Sequence, residues 1–448
     1  METVVVQGKA EAKAVPERIW STQLAAHAGQ EVRLAGWLHR FRRLSGVSFL
    51  VLRDAQGLAQ VVVEDSTLVE RLAHMHQESV LVVTGTVAVV PQAPGGVEIH
   101  RPTVEVLSEA SAPPPFDLFR PAIQAPLPTI LDHAALGLRH PRQRALFRLA
   151  AASMAGFRDT LRALDFVEIQ TPKIVGSATE GGANVFAIDY MGKPAYLSQS
   201  PQLYKQLMVG VFERVFEVGP AFRAEPHDTP RHLNEFVSLD VEVGFIRDHT
   251  DVMALLTRVL RGMLEAMQSE AADSLRLRGV ALPDLSVEIP SVAFREALAL
   301  AGQALGQDLS GEKDLAPAHE RWLGEWARRE HRSEFLYVTG YPAATKPFYT
   351  YPSPADPQIT NSFDLLFRGV ELVSGGQRLH RYEDYQRVFE ARGMNAGPFS
   401  AFLEAFRHGM PPHGGFAIGL ERWIARLCEL PNVREATLFP RDLSRLTP

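Results

Sequence analysis

Apolar and polar residues alternate most regularly between Val215 and Phe245, in VFEVGPAFRAEPHDTPRHLNEFVSLDVEVGF. In the first half Glu217, Arg223 and Glu225 share one parity, with Phe216, Val218 and Phe222 on the other. In the second half Phe236, Ser238, Asp240 and Glu242 oppose Val237, Leu239, Val241 and Val243. Two period-2 runs joined by a polar loop, with Pro226 and Pro230 at its ends, predict an antiparallel hairpin with one apolar face. The second face carries Arg, Asp, Glu and one Phe. On a half-buried hairpin such a face ordinarily meets water. It equally fits the floor of a pocket for a charged, partly aromatic ligand.

The same alternation, in shorter runs, fills residues 30–108: EVRLAGW, VSFLVLRD, LAQVVVE, VLVVTGTVAVV and GVEIHRPTVEVL. Turns rich in Gly and Pro separate them, and one helical stretch, STLVERLAHMHQ, falls between the third and fourth. Five strands with a helix in that place predict an OB-fold β-barrel, a frequent oligonucleotide binder. His39 to Arg43, the densest basic cluster, is expected between the first two strands. Residues 1–20 read as an N-terminal extension, 21–108 as the OB-fold domain, and 109–132, rich in proline, as a hinge. The remainder, 133–448, opens with a helical period over about 142–164 and then the strand-like FVEIQTPKIV. Helical patterns dominate 248–340, where no chemistry stands out, so that region is expected to be scaffold with a small insertion.

Composition narrows the class. A chain of 448 residues with 46% hydrophobic content can bury cores for two or three domains. The charge, 46 basic against 52 acidic residues or −6, argues against wholesale coating of nucleic acid but leaves room for a local basic patch. The one cysteine, Cys428, excludes a disulfide framework and a Cys-rich zinc site, and reads as a packed thiol. No run approaches the roughly 18 apolar residues of a membrane span. The first residues lack the layout of a signal peptide. A soluble cytoplasmic protein is expected.

Four further stretches carry candidate chemistry. GSATEGGANVF, residues 176–186, lacks the G-K-[ST] ending of a phosphate loop, so its glycines suit a surface loop or a lid. In LSQSPQLYKQ, Ser200 is placed to cap a helix with Pro201 at its first position, which sets Gln202 and Lys205 on one face. Residues 362–380, SFDLLFRGVELVSGGQRLH, hold Glu371, Ser374 and Arg378 around two glycines. HGGFAIGLERW, residues 413–423, reads as a strand turning into a helix from about Leu420 to Leu430. Arg422 then sits in a first turn, where the macrodipole disfavours a cation. A nucleotide phosphate would offset this, with Glu421 as a local alternative. His227, Asp228 and His232 share a loop but have no fixed facing geometry for a metal.

The wording F-R-A-E, a short loop, then R-H-L-N-E-F closely resembles motif 2 of the class II aminoacyl-tRNA synthetases. The helix before FVEIQTP resembles their dimer-forming motif 1, and GFAIGLERW resembles motif 3. QSPQLYKQ is similar to the aspartate-specific members, so the resemblance from Ser21 to Pro448 points to the aspartyl-tRNA synthetase family. The compact length, without the large extra domain of longer bacterial enzymes, resembles the archaeal-type branch. It implies an α+β fold, an antiparallel-sheet catalytic domain beside the OB-fold, and a homodimer. It implies ATP as co-substrate, Mg²⁺ as cofactor, and L-aspartate and tRNA-Asp as partners, with tRNA-Asn left open as a second substrate. Compact enzymes of this branch often charge both.

Carried over residue by residue, the resemblance makes Arg223 and Arg422 catalytic. It assigns aspartate to Glu180, Gln202, Lys205, Arg223, Asp240, Ser374 and Arg378, with Lys205 and Arg378 on the side-chain carboxylate. It assigns ATP to Arg223, Glu225, Arg231, His232, Leu233, Phe236, Glu371, Gly419, Leu420, Glu421 and Arg422. Mg²⁺ falls to Glu371 and Ser374, which a regular strand would face oppositely, so Gly375-Gly376 are expected to permit a bulge. Anticodon bases fall to Phe49, Gln60 and Glu98. Taken by itself Phe49, alternating with Val47 and Val51, reads equally as barrel core. The competing readings are an asparaginyl-tRNA synthetase, an ammonia-dependent asparagine synthetase, and a non-catalytic RNA-binding relative. Lys205, the barrel, and the retained Arg223, Glu371 and Arg422 speak against them in turn.

Overall fold

The structure is a computed structural model that describes residues 16–176 and 184–448. It divides into two units at Pro141.

In the first unit, β1 (Glu31–Leu44), β2 (Val47–Arg53), β3 (Leu58–Val63), β4 (Val80–Val89) and β5 (Val97–Ser108) close a barrel in the order β1-β2-β3-β5-β4. The helix Ser66–His74 lies between the third and fourth strands. Asp65 caps it, its side chain accepting from the Leu68 N–H at 2.7 Å. Alternate strand residues fill the core, including Leu34, Leu50, Leu52, Val61, Leu81, Val83 and Ile99.

One expectation changes here, and one open alternative closes. His39 to Arg43 are strand residues of β1, not a loop. A register shift between Leu38 and Arg40 lets the strand bend, and Arg40 to Arg43 go on pairing with β2. His39 is therefore buried, with Nδ1 3.4 Å from Arg53 Nη1. Phe49, in turn, is no core residue. Ser48, Leu50 and Leu52 take the buried face of β2, and Phe49 stands half-buried on the other.

The second unit is built on a mixed, largely antiparallel sheet. Its strands are β6 (Val167–Glu168), β10 (Arg214–Phe222), β11 (Glu235–Gly244), β12 (Ser291–Ala293), β13 (Phe335–Thr339), β14 (Ser362–Phe367), β15 (Val370–Gln377) and β16 (His413–Gly419). They run in the order β12-β13-β14-β15-β16-β11-β10-β6. A small sheet joins β7 (Ile174–Val175), β9 (Lys193–Leu197) and β8 (Ala187–Tyr190). The helices Pro141–Arg162 and His249–Glu270 bury apolar stripes against the large sheet, with Leu149, Phe157, Leu256, Met263, Leu239, Val241, Phe363 and Phe416 in one core. Burial of each such side chain contributes about 1.5–3 kcal/mol.

The expected hairpin is present as β10 and β11, paired from Arg214↔Val243 to Phe222↔Glu235. The region 248–340 contributes scaffold to the main core and sheet. Its first helix belongs to the main core, and β12 and β13 extend the sheet. The strand expected before Pro172 shortens to β6. The helix after β16 spans Leu420–Leu427, short of Leu430. Cys428 follows it, partly buried against the core, its thiol pushed up to about 11 by burial.

Candidate active site

The polar face of the hairpin does form a floor. Phe236, Ser238 and Asp240 of β11 line a cavity of about 330 Å³, within the range of small-ligand sites. Glu217, on the matching face of β10, is diverted. It accepts from Lys173 Nζ at 2.5 Å and Thr171 Oγ1 at 2.7 Å, and does not line the cavity.

One wall is the first turn of the helix Gln202–Phe212. Ser200 Oγ accepts from the Gln202 N–H at 3.3 Å, so the helix begins one residue later than expected, after Pro201. Gln202 and Lys205 still share the inward face, and both are buried. Lys205 Nζ donates to Asp240 Oδ1 at 3.0 Å and lies 3.4 Å from Glu242 Oε2. Arg378 donates from Nε to Glu242 Oε1 at 2.9 Å and from Nη2 to the Gly415 carbonyl at 3.0 Å. A Cβ at position 415 would meet Val241 O at 2.0 Å and Glu242 Oε2 at 2.2 Å, so only glycine fits behind this cluster.

Burial alone would raise the Glu242 carboxyl, but Arg378 and Lys205 more than reverse that and hold it below the ordinary range. Lys205, Asp240 and Arg378 line the cavity, while Glu242 sits behind them. The open side therefore presents two cations against one carboxylate. Gln202 Nε2 is buried at the same wall with no hydrogen-bond partner among the described residues.

The opposite wall comes from β14 and β15. Leu365 pairs with Val373 and Leu366 with Glu371, so Leu372 is the extra residue of a bulge. The bulge lies at Leu372, earlier than the expected Gly375-Gly376, and it brings Glu371 and Ser374 to the same cavity. Gly375 serves a different need: a Cβ there would meet the Phe363 ring at 2.5 Å. Asp364 pairs in register with Ser374. The Glu371 carboxyl is pushed up to about 7, by burial first and then by the Asp364 charge. Asp364, Glu371 and Ser374 form a hard-oxygen donor set that suits Mg²⁺. Lys346 Nζ donates to both Asp364 oxygens at 3.2 Å, and Glu320 Oε2 accepts from the Glu371 N–H at 3.2 Å. Glu320 thus gives the helical region a place beside the site.

Between these walls Arg223 lies over the Phe236 ring, 5.4 Å from its centroid. Arg231 Nη1 is 3.5 Å from Glu320, and His232 Nε2 is 3.4 Å from Glu225. The His232 imidazole is lowered, by burial first, while Glu225 acts in the opposite sense. Arg422 Nη1 donates to the Glu371 carbonyl at 3.1 Å. Glu421 does not pair with it. Its oxygens accept from the Val237 N–H at 3.0 and 3.1 Å, and burial pushes its carboxyl up to about 7.

The cavity thus gathers Gln202, Lys205, Arg223, Glu225, Arg231, His232, Leu233, Phe236, Asp240, Glu371, Ser374, Arg378, Gly419, Glu421 and Arg422. Leu420 instead packs into the core, because the helix start turns it inward. Glu180 lies outside the described residues. Sequence reasoning missed Lys346, Asp364 and Glu320, and gave Glu242 no role beyond the polar face. Glu242 was legible as a fourth polar position on the β11 face, and Asp364 as the one charge in SFDLLF, whose residues are all buried.

On the barrel, Phe49, Gln60 and Glu98 meet through a polar chain. Arg42 donates to Gln60 Oε1 at 3.0 Å, Gln60 Nε2 to Glu98 Oε2 at 2.9 Å, and His100 Nε2 is 2.8 Å from Glu98 Oε1. The Arg42 guanidinium lies 5.6 Å from the Phe49 ring centroid.

A catalytic sheet holding such a cavity, in one chain with an OB barrel, matches two family models: tRNA synthetases class II (D, K and N) over residues 127–443, and the OB-fold nucleic acid binding domain over 32–107. The chain belongs to the class II tRNA synthetases of the D, K and N group. Among its relatives, the aspartate–tRNA(Asp/Asn) ligase of Thermus thermophilus is 47% identical over 431 residues, covering 96% of this chain and 100% of that one. The ligase of the same name from Saccharolobus solfataricus is 40% identical, covering 94% and 96%. The asparaginyl-tRNA synthetase of Pyrococcus horikoshii, solved with asparaginyl-adenylate, superposes with a TM-score of 0.88 at 31% identity, covering 96% of this chain and all of that one.

Proposed function

We infer that this chain joins L-aspartate to tRNA by way of an aspartyl-adenylate made from ATP. The observation that carries the choice of amino acid is the cavity wall where Lys205 and Arg378 outnumber Asp240, with Glu242 behind them. A side-chain carboxylate accepts charge-assisted bonds from the ligand-facing side of both cations, whereas the neutral amide of asparagine offers a weaker acceptor. The names and identities of the relatives, 47% and 40% for aspartate–tRNA(Asp/Asn) ligases against 31% for the asparaginyl enzyme, favour the same choice.

In this reading Asp240, Gln202 and Glu180 take the amino end of aspartate, and the buried Gln202 Nε2 gains a partner. Phe236 stacks on adenine, and Glu225, Arg231, His232, Leu233, Gly419, Glu421 and Arg422 surround the nucleotide. Arg223 neutralises the α-phosphate and the α-carboxylate as the carboxylate oxygen attacks the α-phosphorus and pyrophosphate leaves. The terminal adenosine hydroxyl of tRNA then attacks the mixed anhydride and AMP departs. No protein nucleophile is needed: positioning and fixed positive charge supply the catalysis. Glu371, Ser374 and Asp364 would hold Mg²⁺, which supplies charge neutralisation on the phosphate oxygens.

Residues 21–108 are the anticodon-binding domain, 109–132 a hinge and 133–448 the catalytic domain. Phe49, Gln60 and Glu98 meet anticodon bases, Phe49 by stacking. The enzyme works in the cytoplasm as a homodimer through the helix Pro141–Arg162 and the edge strand β6. Among the described residues no helix is long and apolar enough to cross a membrane.

tRNA-Asn is a second substrate. The two anticodons differ in their third base, C against U, two pyrimidines of nearly the same shape. Burial of His39 leaves the loop Pro91–Gly96, whose exposed Gln92 carries its one polar side chain, to separate them. One mismatched contact costs about 1–3 kcal/mol. Aspartylation of both purified transcripts at one salt concentration tests this. Rates within about a hundredfold of each other are expected, and a larger preference for tRNA-Asp removes the second substrate.

A further inference from the structure

We propose that Lys346 is a resident counter-ion of Asp364 which a divalent cation must displace, and that the released ammonium then turns to the nucleotide's phosphates. The proposal rests on the reading of the cavity as an ATP–Mg²⁺ site. Asp364 is 5% exposed and is not part of the cavity wall, whereas Lys346 is. The ammonium therefore stands between Asp364 and the open space, at 3.2 Å from each carboxylate oxygen. A metal ion cannot take those oxygens while Lys346 holds both.

The surroundings allow a side-chain exchange without backbone motion. Arg392 Nη1 and Nη2 both donate to the Lys346 carbonyl at 3.2 Å, and the Arg392 Nη2 also donates to Ala343 O, so the segment is tied down. Beyond that anchor the Lys346 side chain, 15% exposed, lines the cavity, and an ammonium, unlike a guanidinium, has no preferred plane to keep. Lys346 Nζ also lies 3.9 Å from the Tyr341 ring centroid, a second weak hold on the parked position. Each partner has a replacement: a metal ion for the ammonium on Asp364, and phosphate oxygens for the carboxylate on Lys346.

The arrangement links the two ligands. Without nucleotide, a divalent ion gains Asp364 only by taking from Lys346 its hydrogen-bonded carboxylate. With ATP bound, the phosphate chain offers Lys346 a new one. Metal and nucleotide then favour each other's binding, and by linkage the effect is reciprocal.

Mn²⁺ binding to the full chain, read from the free-ion electron paramagnetic resonance signal, tests this without turnover. In the absence of nucleotide, Lys346→Met should bind Mn²⁺ about tenfold tighter than wild type, and Lys346→Arg should stay near wild type. Adding a non-hydrolysable ATP analogue should tighten Mn²⁺ binding markedly in wild type and little in Lys346→Met. Equal Mn²⁺ affinity of wild type and Lys346→Met without nucleotide overturns the counter-ion role. Absence of Mn²⁺ binding to wild type even with the analogue overturns the ATP–Mg²⁺ reading itself, and the proposal with it. A measurement on wild type alone covers a variant that does not fold. Acylation of Lys346 by a small amine-reactive ester, followed by mass spectrometry, should accelerate when Mg²⁺ is added without nucleotide. An unchanged rate contradicts the displacement.

Discussion

Each unit of this chain buries an ion cluster, and the two clusters are closed in different ways. In the barrel unit Arg53 grips Glu78 through Nη1 at 2.6 Å and Nη2 at 2.7 Å, and Arg139 adds a third bond at 2.9 Å. The Arg53 and Arg139 guanidinium carbons also lie 5.4 and 6.0 Å from the Trp37 ring centroid. Both Glu78 oxygens are taken, and the cluster is closed on itself. In the catalytic unit Lys205, Asp240 and Arg378 show a side to the cavity, and Glu242 alone is sealed. Burying charge without a ligand in view is at best weakly stabilising. Burying it at an open wall prepares a site whose reorganisation cost has already been met by folding. The distinction between a structural and a binding cluster therefore lies in which charges reach the cavity, more than in the number of ion pairs.

Substitutions that spare one cluster sharpen that contrast. The largest effect is expected for Lys205→Met, which leaves a desolvated aspartate carboxylate with Arg378 alone. Removing one partner of a buried pair costs about 3–5 kcal/mol, so aspartate-dependent pyrophosphate exchange should fall below detection while ATP binding persists. Near wild-type exchange at saturating ATP would break the assignment of that wall.

Glu78→Gln should do the reverse, lowering thermal stability by about 3 kcal/mol at neutral pH while exchange is preserved. Burial raises the Glu78 carboxyl, but Arg53 and Arg139 more than offset this and hold it below the usual range. A depressed carboxylate contributes stability above its unfolded pKa and loses it as pH falls through the folded value. The stability gap between wild type and Glu78→Gln should accordingly close in acid. A gap that widens there would contradict the ion-pair account.

Phe49→Ala has the smallest expected effect. Loss of one stacked base is worth about 1–3 kcal/mol, seen in tRNA charging and absent from pyrophosphate exchange. Equal loss in both assays would mean that the barrel, not a contact, has been damaged.

What the chain made legible divides along physical lines. The hairpin face at Phe236, Ser238 and Asp240 could be read because alternation fixes facing within one strand. The helix start after Gly419 could be read from a Gly-flanked strand turning into a helical run, and it set Arg422 in a first turn, where a cation asks for a partner. Arg422 finds the Glu371 carbonyl, which no local pattern indicates. The bulge at Leu372 depends on how β14 and β15 slide past each other, so sequence reasoning placed it at the nearest glycines instead. Lys346 belongs to a stretch between β13 and β14 with no periodicity, and its meeting with Asp364 is a product of packing. The basic run His39 to Arg43 looked like loop because its polarity hides a bent strand with one face outside the core.

The central claim is that the open side of the Lys205–Arg378 wall selects a carboxylate. Amino-acid-dependent ATP–pyrophosphate exchange, run on the wild-type chain with aspartate and asparagine in parallel, tests it most directly. The wall predicts exchange with aspartate and about a hundredfold less with asparagine, about 3 kcal/mol for the charge-assisted bonds a neutral amide does not make. Comparable exchange with the two amino acids, or a preference for asparagine, would contradict it.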